Sequence, residues 1–210
     1  MKPFIPTYII PVNEDQKYLT QVPELYPIPT DRIIDKTITG IGATYAEITN
    51  PERNSIIIMP NIAIINSKHN NHKEDHNTLA VWGNIPRYVI SEYLDKPVYP
   101  KKLLITPEAF TRVKNLVEEK GINIYQNFFL LIDESHKTIK DVGYRNRIIE
   151  PMKYFFEFEG KALITATHLL PSDPRFINNG FKLLKVKPTY DYAIELDVAH
   201  VNNITTALKG

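Results

Sequence analysis

Two short stretches carry residue types suited to phosphate chemistry. The first, Phe128-Phe129-Leu130-Leu131-Ile132-Asp133-Glu134-Ser135-His136, is an apolar run that stops abruptly at two acids. If the run is a buried strand, its carboxylates stand at the carboxyl edge of a sheet, where open α/β folds bind ligands. There Asp133 can hold Mg²⁺ directly or through water, and Glu134 can orient a water for attack on a γ-phosphate. Alone, the same string also describes a strand that ends in a solvated acidic turn. The second stretch, Thr37-Ile38-Thr39-Gly40-Ile41-Gly42-Ala43-Thr44, follows a strand-like start at 32–34 and precedes a helix beginning near Tyr45. Its glycines let the backbone turn N–H groups toward an anion, and the helix start adds partial positive charge. The Thr44 hydroxyl can then reach Mg²⁺.

Both stretches need a scaffold that ends strands and begins helices at one edge. Short apolar runs rich in β-branched or aromatic residues recur at 32–38, 55–59, 79–82, 103–106, 128–132 and 162–165, too short for helices. Between them, 44–48, 85–94, 107–120 and 144–156 have helical character. In 107–120, Pro107 opens the helix where proline is tolerated, Phe110, Val113 and Val117 mark one face, and Gly121 follows as a stop. Strand alternating with helix predicts an α/β fold with a mostly parallel sheet covered on both faces. Prolines at 3, 6, 11, 23, 27 and 29 predict an extended N-terminal arm over residues 1–30. Two further strands are expected at 181–186 and 192–198, while 201–210 has no strong pattern.

Bulk composition narrows the partners. The 210 residues include 25 Lys+Arg and 24 Asp+Glu, a formal net charge of +1, so no global basic field grips phosphate backbones and any nucleic-acid site must be local. With 43% hydrophobic residues the chain can bury one substantial core. The absence of Cys excludes disulfides, thiolate zinc sites and a cysteine nucleophile, and suits a reducing compartment. The start lacks a signal-peptide core, and no apolar run approaches the roughly 20 residues that span a bilayer. A soluble, cytoplasmic protein with no membrane partner is expected.

Thr39-Gly40-Ile41-Gly42-Ala43-Thr44 resembles the phosphate loop of the first RecA-like domain of superfamily 2 helicases and translocases, the DEAD/DEAH-box-like group, which has the form Thr-Gly-x-Gly-Lys-Thr. In the same order, Asp133-Glu134-Ser135-His136 looks like that group's Asp-Glu-x-His box, and Thr165-Ala166-Thr167 like its Ser-Ala-Thr motif. Two weaker matches lie between: 56–61 resembles a strand and loop that contact the nucleic-acid backbone, ending at Asn61, and Thr106-Pro107-Glu108 resembles a second such segment. The likeness runs from about residue 33 to 167. It implies a RecA-like P-loop NTPase domain over 31–200 that binds ATP through residues 39–44, with Mg²⁺ at Thr44 and Asp133 and water activation by Glu134. It also implies that His136, Thr165 and Thr167 couple nucleotide state to the grip on DNA or RNA, with Asn61 and Thr106 on the nucleic acid. Such motors close two RecA-like domains around one ATP, and 210 residues cannot hold both. A second domain is therefore expected from the full-length chain, for which 201–210 is a tail or linker, or from a partner; hydrolysis is expected once it is supplied.

The loop departs from that pattern at one place. Ala43 stands where the family has Lys, which removes the ammonium that neutralises the β- and γ-phosphates. Lys36, at the start of the loop, is the candidate replacement, an arrangement similar to that of some phage terminase ATPases; otherwise it is a surface lysine beside Asp35. The alternatives are a non-hydrolysing nucleotide- or nucleic-acid-binding module with a degenerate loop, and a terminase-like packaging ATPase.

Other residues have plainer readings. His69, His72 and His76 are spaced closely enough to share a metal, but the polar segment 68–76 suits a solvated surface connection. Gln16 or Gln21 can read adenine by donating and accepting with its amide, as an upstream Gln does in DEAD-box relatives, and Tyr18 or Tyr26 can stack on a base or simply pack. His168, directly after Thr167, can relay the state of the nucleotide, and Arg145, Arg147 and Lys153 can contact a phosphate backbone or a second domain; the plainer reading of all four is a solvated helical face. Residues 171–175 read as a turn stiffened by two prolines.

Overall fold

The short β-branched runs become strands because each is buried on both faces, as a covered parallel sheet requires. The computed structural model describes residues 4–37, 40–74, 77–133, 150–166 and 173–190. Thr39, His76, Glu134, His136, Arg145, Arg147, Thr167, His168, the strand expected at 192–198 and the tail at 201–210 lie outside the described residues.

Eight strands among these residues form one sheet: β1 (Thr7–Val12), β2 (Arg32–Asp35), β3 (Ser55–Ile58), β4 (Thr78–Val81), β5 (Lys102–Ile105), β6 (Phe129–Ile132), β7 (Lys161–Thr165) and β8 (Lys182–Pro188). Their order is β1-β8-β2-β7-β6-β3-β5-β4, and every neighbouring pair is parallel. The helices are α1 (Ala43–Thr49), α2 (Ile62–His72), α3 (Arg87–Asp95), α4 (Phe110–Glu119), α5 (Ile124–Asn127), α6 (Glu150–Tyr154) and α7 (Pro174–Asn178).

Alternate residues of each strand serve opposite layers. Ile56, Ile58, Leu103 and Ile105 pack with Ile90 of α3, Phe110, Val113 and Val117 of α4, and Phe176 of α7. Ile57, Leu104 and Leu131 face the other way, onto Ala46 and Ile48 of α1, Ile65 of α2, and Leu19, Val22, Leu25 and Ile28. The expected α/β architecture is therefore present, with helices on both faces.

Four local expectations change. The stretch 1–30 is extended in part, but it does not merely overlie the core: β1 pairs with β8 from Thr7↔Leu183 to Val12↔Pro188, and Leu19, Val22, Leu25 and Ile28 are at most 1% exposed. The sheet thus crosses the boundary expected at residue 30. Pro11 is tolerated because β1 is an edge strand. The connection expected at 68–76 is helical through His72, since α2 is started by Asn61, whose side chain accepts from Ala63 N at 2.8 Å. The turn expected at 171–175 gives way to α7, with Asp173 accepting from Arg175 N and Pro174 at the tolerated first position. The helix expected over 144–156 is described from Glu150 and tightens to a 3₁₀ turn at Phe155–Glu157.

Candidate functional site

The carboxyl edge of the sheet gathers the polar ends of its strands. Asp35 ends β2, Thr165 ends β7 and Asp133 follows β6; they are 2%, 2% and 7% exposed. Ladder bonds that continue beyond the strands hold them in place: Lys36 N donates to Thr165 O at 2.9 Å and Asp133 N to Ile58 O at 2.9 Å. Since β7 lies between β2 and β6, Thr165 sits between the strand end that carries Lys36 and the one that carries Asp133.

Side chains close the gap across β7. Lys36 Nζ donates to Asp133 Oδ1 at 3.3 Å, and Thr44 Oγ1, in the first turn of α1, donates to Asp133 Oδ2 at 2.5 Å. The hydroxyl and the carboxylate are 89 positions apart in the chain. Lys36, Thr44 and Asp133 are 9%, 6% and 7% exposed, so the cluster is largely withdrawn from water, where charge-assisted hydrogen bonds are strongest. Ala43 is also buried, at 4%, so the position that carries lysine in the resembled loop presents only a methyl group. The cation of the cluster instead enters from the end of β2.

The loop between β2 and α1 turns on glycines. Gly40 and Gly42 have φ of +80° and +79°, the left-handed region in which a Cβ is strained, and Gly42 is the residue before the first turn of α1. Ile41 is buried against the core at 4% exposure. The N-terminal segment is fastened to this loop, because Leu19 N donates to Ile41 O at 2.8 Å. Tyr18 consequently lies against Gly42, where an added Cβ would sit 3.5 Å from its ring, and keeps half its own surface exposed. A cavity of about 480 Å³ opens beside the loop, lined by Tyr18, Thr20, Gln21, Gly40, Gly42, Tyr45 and Lys68. Gln16 does not contribute a free amide to it: Asn13 N donates to its oxygen and its nitrogen donates to Gln21 O. Tyr26 packs against the core and Tyr45 against His72, with ring centroids 5.3 Å apart.

The remaining predicted residues divide. Asn61 and Thr106 both follow strands at this edge, after β3 and β5; Asn61 is exposed, whereas Thr106 is 4% exposed and has little surface for a partner. Lys153 is exposed and pairs with Glu150. Among the described residues no group of three metal-ligating side chains converges, and His69 bonds Thr78 Oγ1 through Nδ1 at 2.9 Å. Burial, followed by the Lys73 charge, holds His69 below its ordinary pKa, which is the environment of a packed imidazole.

Sequence reasoning passed over two groups. Asp35 ends an apolar run as Asp133 does, which was a usable signal; its Oδ1 accepts from Thr37 N at 3.2 Å and braces the start of the loop. The second lies at the far end of α1. Glu47, wholly buried, receives Arg53 Nε at 3.0 Å and Nη2 at 2.6 Å, Ser55 Oγ at 2.5 Å, and Lys102 Nζ at 3.7 Å. Lys102, also wholly buried, donates to Arg53 O at 2.9 Å and Ser55 Oγ at 3.0 Å. Burial pushes its ammonium down to about 8, partly opposed by Glu47. No local pattern announces ion pairs between such distant positions.

The fold has known counterparts. A hypothetical ATP-dependent RNA helicase from Sulfolobus tokodaii is similar with a TM-score of 0.53 at 15% identity, over 74% of this chain and 48% of that one. The Pyrococcus furiosus Hef helicase domain aligns over 78% of this chain and 36% of that one, at 16% identity and a TM-score of 0.47. The chain thus spans less than half the length of either. No family model and no curated protein matches the sequence. The all-parallel sheet, its helices on both faces and the Sulfolobus likeness make this a RecA-like α/β fold. No helix among the described residues is long and apolar enough to cross a membrane.

Proposed function

We propose that this chain is the nucleotide-binding half of a nucleic-acid-dependent ATPase of the helicase or translocase type. The observation that carries the reading is the meeting of Lys36 and Thr44 on the two oxygens of Asp133 at the carboxyl edge of a RecA-like sheet. A hydroxyl and a carboxylate side by side are hard oxygen donors of the kind that suits Mg²⁺ with its retained waters. When bound, the ion would neutralise charge on the terminal phosphates. Gly40–Thr44 would wrap the phosphate chain, which needs close backbone approach, and the glycines at positive φ supply it. Lys36 would carry the ammonium that Ala43 lacks, and Glu134, next to Asp133 in the chain, would orient the attacking water. Thr165, whose carbonyl accepts from Lys36 N, would relay the state of that lysine across the carboxyl edge toward a nucleic-acid surface that includes Asn61.

A second RecA-like domain, in the full-length protein or a partner, would supply the opposite wall of the nucleotide site and the rest of the nucleic-acid groove. Half of the machine binds without turning over well, so the chain alone should hydrolyse ATP weakly or not at all and should unwind nothing. The loss of the loop lysine to a buried Ala43 also favours a second reading, a non-hydrolysing nucleotide-binding module.

Calorimetric titration with Mg·ATP tests the first reading. The chain should bind one equivalent, and Lys36→Ala should weaken binding about ten- to a hundredfold, the worth of one hydrogen bond to a charged group. Binding indifferent to Lys36, with no turnover when the second domain is present, would favour the non-hydrolysing module.

A further inference from the structure

We infer that Lys68 of α2 binds the nucleoside end of the phosphate chain, the phosphates that ADP and ATP share. This rests on the triphosphate reading above and adds a second phosphate-binding cation, from a segment whose sequence suits a solvated connection.

Two contacts fix how α2 is rotated. Ile65 is wholly buried in the core layer that includes Ala46 and Ile48 of α1, and the His72 ring lies against Tyr45 of α1 with centroids 5.3 Å apart. Lys68 comes three residues after Ile65 and four before His72, so helical spacing puts all three on one side of α2, toward α1. Lys68 is accordingly half-buried, and it lines the cavity of about 480 Å³ together with Gly40 and Gly42. Ala43 leaves the loop without an ammonium of its own, and Lys36 is engaged with Asp133. The negative charge that Mg²⁺ leaves on a triphosphate is more than one lysine paired with an aspartate can balance.

The cavity is charged on one side only. None of its lining residues is acidic, and Lys68 is the charged group among them. Its ammonium makes no hydrogen bond or ion pair with a described residue. A cation partly withdrawn from water, with no carboxylate in the space it faces, favours an anion there. Which part of the nucleotide it meets follows from what else lines the space. Lys36, Thr44 and Asp133 do not, so the cavity lies to one side of the cluster that would hold Mg²⁺ and the terminal phosphates. Tyr18, half exposed over Gly42, gives the cavity a stacking face that every base shares. A nucleotide with its base on Tyr18 and its last phosphate at the cluster passes the glycines with its first phosphates, and these are what Lys68 reaches. A contact there survives loss of the γ-phosphate, so Lys68 contributes equally to ADP and ATP.

The test is calorimetry on the intact chain with Mg·ATP and Mg·ADP, in the wild type, Lys68→Met and Lys68→Arg, at two salt concentrations. At about 0.05 M salt, Lys68→Met should weaken both nucleotides by the same factor, about three- to tenfold for a partly exposed hydrogen bond to a charged group. At about 0.5 M that factor should shrink, because partly exposed charges are screened. Lys68→Arg keeps the charge and should recover most of the loss. A loss confined to ATP puts Lys68 at the γ-phosphate, and a loss indifferent to salt, or as large in Lys68→Arg, puts it on the base or ribose. No loss leaves it a surface lysine. Each of these overturns this inference and leaves the triphosphate reading standing, whereas a wild-type chain that binds neither nucleotide overturns both.

Discussion

Helix α1 touches two clusters of buried charge, one at each edge of the sheet, and they are built differently. At the amino edge, Glu47 is surrounded by Arg53, Ser55 and Lys102, and Arg53 also lies over the Phe129 ring at 3.4 Å and donates to Ile28 O. That cluster ties α1, β3, β5, β6 and the N-terminal segment together, with Glu47 and Lys102 sealed from solvent. At the carboxyl edge, Asp133 takes one cation and one hydroxyl among the described residues, each keeping a little surface, and Thr44 directly follows the glycine loop. Buried charge alone therefore does not mark a site. A saturated cluster serves the fold, and a cluster that keeps some surface beside a glycine loop can exchange partners.

The largest contrast should come from removing the carboxylate of each cluster. Glu47→Ala leaves two cations without their counter-ion in the interior and should cost about 3–5 kcal/mol of stability, measured by urea unfolding. Asp133→Asn keeps one acceptor, for Lys36, and turns an N–H toward the Thr44 hydroxyl, which can accept as well as donate; it should cost about 1 kcal/mol, while abolishing Mg·ATP binding. Equal losses from the two would erase the distinction between them.

Lys102 sharpens it through pH. Burial lowers its folded pKa to about 8, below the 10.5 of an ordinary lysine, so the unfolded chain holds the extra proton between those values. Stability should therefore rise with pH across that window, by on the order of 3 kcal/mol in total, with the full penalty present below it. Lys102→Met should lack this rise when unfolding is followed at pH 8 and pH 10, whereas Lys36→Ala should keep it. Gly42→Ala, in which a Cβ at φ +79° should cost about 1–2 kcal/mol, should weaken nucleotide binding without abolishing it, seen by thermal unfolding and calorimetry.

What could be read in advance followed from how local each signal is. Strands such as Ser55–Ile58 and Phe129–Ile132 are buried on both faces, so their apolar runs and the helices between them already imply a covered parallel sheet. Asp133 and the glycines of the loop were visible because an acid after such a run, or glycine before a helix, is a pattern within a few residues. Strand β1 was hidden by Pro6 before it and Pro11 within it, which suit an exposed edge as well as an arm. Helix α2 was hidden because Ile65 is its sole buried residue and its polar remainder looks like a loop. The Glu47 cluster was hidden because its buried lysine, Lys102, comes from β5 and meets Glu47 and Ser55 only after the sheet has formed. The exposure of Gln21 together with the commitment of its oxygen to Tyr18 was equally beyond reach of spacing.

The central claim is that Thr44 and Asp133 hold one divalent ion with a nucleotide. Paramagnetic resonance of Mn²⁺ titrated into the chain with ATP reads it directly. One bound ion per chain is predicted, lost in Asp133→Asn, weakened in Thr44→Val and retained in Lys102→Met. Binding of Mn²⁺ with ATP that is the same in Asp133→Asn as in the wild type would contradict the account.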